Sequence, residues 1–347
     1  MPAVDLPRFP LPSLPAATRL SLSGFRIGHG SDLAGKTGVT VILCEAGMVA
    51  AAEVRGSATG TRQFDSLVGP QHLGSRAHAV VLAGGSGFGL SAADPVVDWL
   101  ARNGHGFQTG IAPIPLVPTA ILFDLGFGSA AARPTAALSE EALADALSGP
   151  EMEPSEIAVG SVGAGTGATV GKALGLPHGM KGGFGFASLS LPGNSDGATV
   201  CAAVAVNAFG DVRTLDGTLL AGCRTAPDSN ELASAERVMA ALPPDFASPW
   251  EGNTTLAVVM TDAILSKPAA HKVCQMAFGG FYRTLVPALS LYDGDLIVTL
   301  AAGRRTAHVH QIGVLAERAV AEAILTAVRA ADGFGLLPAV RDLAAAG

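Results

Sequence analysis

The sequence predicts a fold of the α+β class in which a layered β-sheet core is covered by helices. Short apolar runs, typical of buried strands, alternate irregularly along the chain with amphipathic helical patterns. The composition agrees with this fold, since 49% of the 347 residues are hydrophobic and 44 are glycine, which favours close approach of backbones in the core. We find no internal repeat, and we expect residues 1–347 to form a single domain.

The predicted elements follow from hydrophobic periodicity and from residues that begin or end helices. Strands are expected at 38–43, 77–83, 118–124, 157–162, 183–191, 199–208, 255–261 and 296–300. Helices are expected at 91–102, 139–147, 231–242, after Pro268 and at 311–331. Ser139 is the expected N-cap of the second helix, with Glu140 and Glu141 in its first turn. The turn at 192–197 is expected to join the strands on either side of it as a pair.

Charge and composition exclude several classes of partner and location. The net charge is -7 and no Lys/Arg cluster is present, so nucleic acid is not an expected partner. Mean hydropathy is +0.41, but Gly or Pro interrupts every apolar run well before the ~20 residues that a spanning helix needs. The four scattered cysteines indicate reduced thiols and neither a disulfide framework nor a metal site. Without a signal-peptide pattern at the N-terminus, the expected location is the cytoplasm.

The stretch 252–256, Gly-Asn-Thr-Thr-Leu, carries the most specific chemistry in the chain. Thr254 follows Asn253, so its hydroxyl can reach the preceding carbonyl and start an N-to-O acyl shift. Hydrolysis of the ester would release Thr254 as a new N-terminus, whose amine, with an unperturbed pKa of ~7.7–8.0, could act as base for its own hydroxyl. Asn-Thr before a strand is also a common turn, and this stretch alone leaves both interpretations open.

Two polar residues in apolar surroundings are further candidates. Lys172, between glycine and alanine, is either a surface charge or a buried ammonium that would lower the pKa of a nearby Thr254 amine. Asn207 lies within the apolar run 201–209, on an expected core strand, and needs hydrogen-bond partners there. One use of its amide is to donate to an oxyanion.

The segment 293–295, Asp-Gly-Asp, allows two interpretations. It is typical of a hairpin turn. Alternatively, Asp293 and Asp295 are two carboxylates that hold the hydroxyl and the amine of a nucleophile in place.

Three other motifs are better explained as structural. The glycines at 163 and 165 match part of a dinucleotide fingerprint, but no acidic residue follows at the required distance. The glycine-rich run 84–89 lacks the Lys-Ser/Thr ending of a phosphate loop. His308 and His310 could ligate a metal, but no Asp, Glu or Cys lies at a supporting spacing, so we predict no metal site and no cofactor.

Taken in order, these motifs resemble the family of L-aminopeptidase/D-esterases and β-aminopeptidases, which includes nylon-oligomer hydrolases and a pantetheine hydrolase. The resemblance extends from about residue 27 to the C-terminal helix. It depends on the motifs at 27–32, 37–40, 60–65, 82–90, 163–167, 252–255 and 293–295.

The resemblance implies an αββα sandwich of the N-terminal-nucleophile type that cuts itself into residues 1–253 and 254–347. It implies Thr254 as nucleophile and base, Asn253 as the end of the larger piece, and Asn207 as oxyanion donor. Lys172 matches a lysine near the nucleophile of the nylon-oligomer branch, and Asp293 and Asp295 match an acidic pair that orients the nucleophile. Phe123 stands where some members have an oxyanion-donating tyrosine. The oxyanion hole would then be made by Asn207 and backbone N–H groups, which affects the expected substrate range.

The expected activity is hydrolysis of small amide or peptide substrates through an acyl-Thr254 intermediate. Two alternatives are an acyltransferase of the ornithine acetyltransferase type, which passes the acyl group to an amine, and a non-catalytic relative that keeps the fold. The family commonly forms tetramers. The five prolines in residues 1–20 predict an extended arm that packs on a neighbour, and we therefore expect a homotetramer.

Overall fold

The computed structural model describes residues 18–69, 71–149, 155–191, 197–243 and 252–344. Most of the predicted Pro-rich arm and most of the predicted 192–197 turn therefore lie outside the described residues. So does the end of the polar segment that precedes Gly252.

The strands are β1 (Arg19–Leu20), β2 (Arg26–Asp32), β3 (Thr37–Val54), β4 (Thr61–Arg62), β5 (Arg76–Ala83), β6 (Phe107–Gln108), β7 (Pro113–Ile114), β8 (Thr119–Ile121), β9 (Ser155–Glu156), β10 (Thr169–Val170), β11 (Met180–Lys181), β12 (Gly183–Ser190), β13 (Thr199–Asn207), β14 (Asp211–Arg213), β15 (Leu219–Ala221), β16 (Thr254–Ala263), β17 (Leu285–Val286) and β18 (Leu296–Arg305). The α-helices are α1 (Asp65–Val68), α2 (Asp94–Arg102), α3 (Ala136–Ser148), α4 (Ala235–Ala241), α5 (Lys267–Thr284), α6 (Val309–Ala330) and α7 (Val340–Ala344).

The main ladder runs β12-β13-β16-β18-β3-β5-β8-β4, and β2 also pairs with β3. Strand β3 is 18 residues long, and its pairing register with β5 shifts between Leu43 and Met48. Its first part pairs with β2 and β5, whereas its last part pairs with β18. The shift lets β3 belong to two sheets, which pack face to face.

Alternation along the strands divides the core into layers. On β13, Cys201, Ala203 and Ala205 face the apolar layer between the two sheets, together with Ile42 and Val80 of the opposite sheet. The intervening residues of β13 face helices α5 and α6 on the outside. Helices α2 and α3 cover the outer face of the other sheet. The four layers are therefore helix, sheet, sheet and helix, as the resemblance implies.

The high glycine content reflects how closely the helices lie on the sheets. A Cβ atom on Gly185 in β12 would lie 1.8 Å from the carbonyl oxygen of Ala323 in α6. Likewise, a Cβ atom on Gly28 in β2 would lie 2.2 Å from the carbonyl oxygen of Ala142 in α3. Larger residues would push the helices away from the sheets.

Several sequence predictions are confirmed, with shifted ends. Strands β12 and β13 form the expected antiparallel pair, and α6 turns the expected apolar face towards the core. Among the described residues, no helix combines the length and apolarity that crossing a membrane requires.

The predicted start of the second helix is wrong. Helix α3 begins at Ala136, and its N-cap is Thr135, whose hydroxyl accepts the N–H of Leu138 at 3.3 Å. Ser139 is buried within the helix, and its hydroxyl donates back to the Thr135 carbonyl. Thr135 takes the cap because it is an earlier hydroxyl residue with an extended backbone.

The strand predicted at 157–162 is also wrong. Only Ser155–Glu156 pairs as a strand, and one isolated bridge joins Gly160 to Phe184. Gly160 has a positive φ of 97°, and a Cβ atom there would meet the Ala330 carbonyl oxygen at 2.3 Å. The segment lies so close to the end of α6 that it bends there, and the bend interrupts the strand pairing.

Two further predicted elements are shorter than expected. The helix predicted at 231–242 covers only Ala235–Ala241, because Leu232 is bridged to Arg224 and the buried Asp211 carboxylate accepts the N–H of Ala235 at 2.6 Å. The strand predicted at 118–124 pairs only over Thr119–Ile121. The residues after it lead into the site described next.

Candidate active site

The candidate active site lies at the end of the ladder where β16 begins. Thr254 is the first residue of β16, and its register partner on antiparallel β13 is Asn207, the last residue of that strand. Strand β18 runs parallel to β16, so the loop that precedes β18 reaches the same end. That loop carries Asp293 and Asp295. The sheet topology thus brings together residues that are far apart in sequence.

The peptide bond between Asn253 and Thr254 is buried and held by backbone hydrogen bonds. The N–H of Asn253 donates to the Tyr292 carbonyl, and the Asn253 carbonyl accepts the N–H of Gly294, each at 3.0 Å. The Thr254 hydroxyl donates to the same Asn253 carbonyl oxygen. The hydroxyl is therefore in contact with the preceding peptide group, and a backbone N–H polarises its carbonyl.

The segment 293–295 is not a hairpin turn. Asp293 forms a parallel bridge with Asn253, so the segment extends the sheet beyond β18. Gly294 is required for space: a Cβ atom there would lie 2.6 Å from the Thr254 hydroxyl oxygen and 2.6 Å from the Ala58 carbonyl oxygen. The glycine lets the chain lie directly against the Thr254 side chain.

The two carboxylates bind backbone around the nucleophile. Asp293 accepts the N–H of Phe209 at 3.1 Å through one oxygen, and the N–H (3.0 Å) and hydroxyl (2.6 Å) of Ser290 through the other. Asp295 accepts the N–H of Thr255, next to Thr254, at 2.7 Å. These bonds fix the position of the residues on both sides of the Thr254 hydroxyl.

The pKa values of both carboxyls are raised. Burial raises the pKa of Asp293, while hydrogen bonds from Ser290 and Phe209 and the charge of Lys172 oppose this. Burial raises the pKa of Asp295 well above its ordinary value, and the charge of Asp293 raises it further. Because adjacent buried carboxyls resist double ionisation, the pair keeps a proton to higher pH than a free Asp does.

Lys172 is a buried ammonium, not a surface charge. Its Nζ donates to the carbonyl (3.1 Å) and hydroxyl (3.0 Å) of Thr169, to the Asn207 carbonyl at 3.4 Å and to Asn207 Oδ1 at 2.9 Å. Such acceptors are needed because an unpaired buried ammonium is very costly. Lys172 therefore lies on the Asn207 side of the site.

The Asn207 amide is fixed at both ends. Its Nδ2 donates to the Phe123 carbonyl at 2.9 Å, and its Oδ1 accepts from Lys172 and from the N–H of Thr169, each at 2.9 Å. The amide has a second N–H, which is the donor available for an oxyanion. The Phe123 ring packs against Gly252, where a Cβ atom would lie 2.9 Å from Phe123 Cβ.

Sequence analysis missed Thr169 and a second buried pair. Lys181 is fully buried, and its Nζ donates to the carbonyls of Gly165 (2.8 Å), Ala168 (2.7 Å) and Gly182 (3.0 Å). Asp124, next to Phe123, accepts from Thr37 Oγ1 at 2.8 Å and from the N–H of Gly85 at 2.7 Å. In the sequence, Asp124 could have been noticed as a carboxylate at the end of an apolar run, and Lys181 as a lysine among glycines.

The interaction of Lys181 with Asp124 is reflected in their pKa values. Burial lowers the pKa of Lys181 to about 7, and the charge of Asp124 opposes this effect. Burial raises the pKa of Asp124 to about 6 against hydrogen bonds from Gly85 and Thr37. Each group is held by its own hydrogen bonds, and the two charges act on each other without direct contact.

A shallow depression of about 20 Å³, room for about one water molecule, opens beside Gly252. Its apolar lining comes from Phe123, Phe127 and Leu176, and its polar lining comes from Asp124, Thr169 and Lys172. The depression is therefore next to the segment that leads to Thr254.

The motifs explained as structural have structural roles. Residues 163–168 are all buried, which leaves no surface for a pyrophosphate. His308 is the N-cap of α6: its Nδ1 accepts the N–H of His310 at 3.2 Å.

Comparison with known proteins agrees with the fold and identifies the family. The family model described as "Peptidase family S58" matches residues 21–335. An uncharacterized aminopeptidase of Mycobacterium leprae is 36% identical in an alignment of 355 positions, gaps included, that covers 94% of each chain. A 6-aminohexanoate-oligomer endohydrolase of Paenarthrobacter ureafaciens is 28% identical and covers 89% of this chain and 85% of its own.

A solved structure shows the same fold at low identity. The L-aminopeptidase D-Ala-esterase/amidase of Ochrobactrum anthropi, described as a variant of the Ntn hydrolase fold, superposes with a TM-score of 0.68. It is 17% identical, and the match covers 95% of this chain and 91% of the other.

The two carboxylates are expected to respond differently to amide substitution. Both carboxylate oxygens of Asp293 accept hydrogen bonds from N–H groups, so Asp293→Asn must place its NH2 group against an N–H donor. The variant should lose about 1–3 kcal/mol in free energy of unfolding. Asp295→Asn can keep its oxygen on Thr255 and turn the NH2 group towards Leu289, whose N–H is 3.4 Å away. Urea unfolding of both variants in a Thr254→Ala background should show the larger loss for Asp293→Asn.

The pH dependence of the free energy of unfolding gives a second test of the two roles. The pKa of Asp295 is higher in the folded protein than the unfolded value of ~3.9. Its contribution to the free energy of unfolding is therefore fully present below pH ~3.9 and is lost as pH rises through the folded-state pKa. Asp295→Asn should lack that loss. Equal destabilisation of the two variants, or an unchanged pH dependence in Asp295→Asn, would contradict these roles.

Proposed function

The chain belongs to peptidase family S58 and is a hydrolase of amide bonds, and we propose that it is activated by self-cleavage between Asn253 and Thr254. The proposed enzyme is an aminopeptidase or amidase whose nucleophile is the freed N-terminal Thr254. The observation that supports this most directly is the contact of the Thr254 hydroxyl with the Asn253 carbonyl, which also accepts the Gly294 N–H.

Self-cleavage proceeds in two steps. The Thr254 hydroxyl oxygen attacks the Asn253 carbonyl carbon, and the Gly294 N–H stabilises the negative charge that develops on the carbonyl oxygen. The C–N bond then breaks, the hydroxyl proton ends on the freed amine, and Asn253 is left as an ester on Thr254. Water hydrolyses this ester to give the Asn253 carboxylate and the Thr254 N-terminus.

Catalysis uses the same oxygen on an external amide. The neutral Thr254 amine takes the proton of its own hydroxyl, the oxygen attacks the substrate carbonyl, and the leaving amine departs with a proton. The second N–H of Asn207 donates to the oxyanion, together with backbone N–H groups, because Phe123 supplies no hydroxyl. Lys172 holds Asn207 and keeps the Thr254 amine neutral by charge repulsion. Water then releases the acyl group.

The two pieces are expected to remain together after cleavage. Strand β16 of the smaller piece lies between β13 of the larger piece and β18, and α5 and α6 share one apolar layer with β13. Separation would expose this core to water.

We expect four such two-chain protomers to associate. The prediction comes from the family resemblance, the Pro-rich N-terminal segment and the weakly charged composition. Multi-angle light scattering at micromolar concentration should give about four times the protomer mass, and a monomer would contradict the prediction.

Intact mass spectrometry should show two chains, residues 1–253 and 254–347, that elute together on native gel filtration. Thr254→Ala should remain one inactive chain, because it lacks the attacking hydroxyl. Thr254→Cys should still cleave at a changed rate, since a thiol makes the same shift through a thioester.

Thr255→Ala is the matched control. Thr255 is equally buried, but its hydroxyl has no hydrogen-bond partner among the described residues, so its removal should leave cleavage intact. A fully active wild-type preparation that shows only the uncut mass would rule out the N-terminal threonine mechanism.

The pH profile tests Lys172. The value of kcat/KM should rise with pH through the pKa of the free Thr254 amine. Lys172→Met removes a positive charge, so the amine pKa should rise, the rising limb should move to higher pH and the rate should fall. The exposed Lys272 gives the control: Lys272→Met should change neither the rate nor the position of the rising limb. An unchanged profile in Lys172→Met would exclude Lys172 from the mechanism.

A further inference from the structure

Two backbone peptide groups hold the side-chain amide of Asn207. Its Nδ2 donates to the carbonyl of the peptide group between Phe123 and Asp124, and its Oδ1 accepts the N–H of the peptide group between Ala168 and Thr169, each at 2.9 Å. Because a side-chain amide is planar, these two bonds fix the direction of its second N–H, the proposed donor to an oxyanion. Whatever fixes the two peptide groups therefore also orients the oxyanion donor.

Lys181 binds the far end of the second peptide group. Its Nζ donates to the Ala168 carbonyl at 2.7 Å, so this peptide group accepts from an ammonium at its oxygen and donates to Asn207 at its nitrogen. Bonds from Nζ to the carbonyls of Gly165 (2.8 Å) and Gly182 (3.0 Å) fix the ammonium in turn. Hydrogen bonds that follow one another in the same direction polarise one another. Lys181 therefore orients the peptide group and strengthens its bond to Asn207.

Asp124 fixes the first peptide group. It comes directly after Phe123, and its buried carboxylate accepts the N–H of Gly85 at 2.7 Å and the hydroxyl of Thr37 at 2.8 Å. The carbonyl that Asn207 binds is thus adjacent to a residue whose side chain is held by two distant segments. Movement of that carbonyl away from Asn207 would disturb both of these bonds.

We propose that Lys181 and Asp124 are positioning residues for amide hydrolysis, each holding one of the two peptide groups that orient the Asn207 amide. Among the described residues, neither side chain hydrogen-bonds to Thr254 or to Asn207, so both act through the backbone. The inference rests on the proposed function, because it takes Asn207 as the oxyanion donor.

A double-mutant cycle separates positioning from a purely structural role. The assay uses the self-processed protein and, from a panel of amino-acid p-nitroanilides, the one that the wild type hydrolyses fastest. Lys181→Met should lower kcat by about tenfold or more and change KM by less than about twofold, because the misdirected amide no longer meets the oxyanion. In an Asn207→Ala background the same substitution should change kcat by less than about twofold, because no amide is left to position. Equal fold losses in both backgrounds would overturn the proposal.

Lys267→Met is the matched control. Lys267 is half-buried, and its Nζ donates to the carbonyls of Ser66 and Gly69. It lies just after β16, whose other end carries Thr254. This substitution also leaves carbonyls without their ammonium, so it should lower the free energy of unfolding, but kcat should stay within about twofold of the wild type. A fall in kcat equal to that of Lys181→Met would overturn the proposal.

Asp124 allows a comparison with a conservative variant. Asp124→Leu removes both acceptors, whereas Asp124→Asn can accept the N–H of Gly85 through its oxygen and donate to the Thr37 hydroxyl through its NH2 group. We expect kcat to fall about tenfold in Asp124→Leu and to stay within about threefold of the wild type in Asp124→Asn. Equal losses would overturn the role of Asp124. If Asp124→Leu does not fold, Thr37→Val, which removes one of the two bonds, takes its place.

Hydrogen exchange tests the Lys181 contact without turnover. In a Thr254→Ala background, the Thr169 N–H should exchange at least about tenfold faster in Lys181→Met and at an unchanged rate in Lys267→Met, as measured by mass spectrometry. Unchanged exchange in Lys181→Met would overturn the proposal. Lys181→Gln, which keeps a donor but loses the charge, replaces Lys181→Met in every test if that variant does not fold. Failure of the wild type to cut the 253–254 bond, or to hydrolyse any p-nitroanilide, would instead count against the proposed function.

Discussion

The site depends on backbone N–H groups that are bound by two buried carboxylates. The N–H of Phe209, just after β13, donates to Asp293, and the N–H of Thr255, in β16, donates to Asp295. The residues just before β18 are thereby joined to the two strands that carry Asn207 and Thr254. Because a buried N–H without an acceptor costs free energy, the carboxylates and the strand ends fix one another's positions.

Buried charge requires a dense set of acceptors around it, and the chain supplies them from its own backbone. Lys172 and Lys181 both donate to carbonyl oxygens in the segment 165–169. Thr169 links Lys172 to Asn207, since it accepts from the lysine and donates to the amide. The arrangement holds the Asn207 amide in one orientation, which an oxyanion donor needs. It also places the Lys172 ammonium beside the depression at Gly252.

Small residues permit this arrangement. Gly294 lets the chain lie against the Thr254 hydroxyl, and Gly252 lets the scissile segment lie on the Phe123 ring. The same requirement, applied to helices on sheets, explains why glycine and alanine are so frequent in the core. Helices that lie closely on sheets and a backbone that lies closely on the Thr254 side chain thus depend on the same property, the absence of a side chain at the contact.

The sequence by itself determined the class of fold, the main strands and helices and, through an ordered set of motifs, the family. It also singled out Thr254, Asn207, Lys172, Asp293 and Asp295, because polar residues in apolar or glycine-rich surroundings need a specific reason to be there. Local patterns misplaced the start of α3 and the strand at 157–162, where an earlier cap and the end of α6 decided the outcome.

Only the tertiary structure decided which groups meet. It showed that Asp293 closes a short turn from Ser290 and then continues the sheet by bridging to Asn253, and that the buried Lys172 donates to Asn207. It also revealed Lys181 and Asp124, whose roles come from carbonyl and N–H groups of distant segments. Such contacts arise from the order and direction of strands, a long-range property that the periodicity of a single segment does not contain.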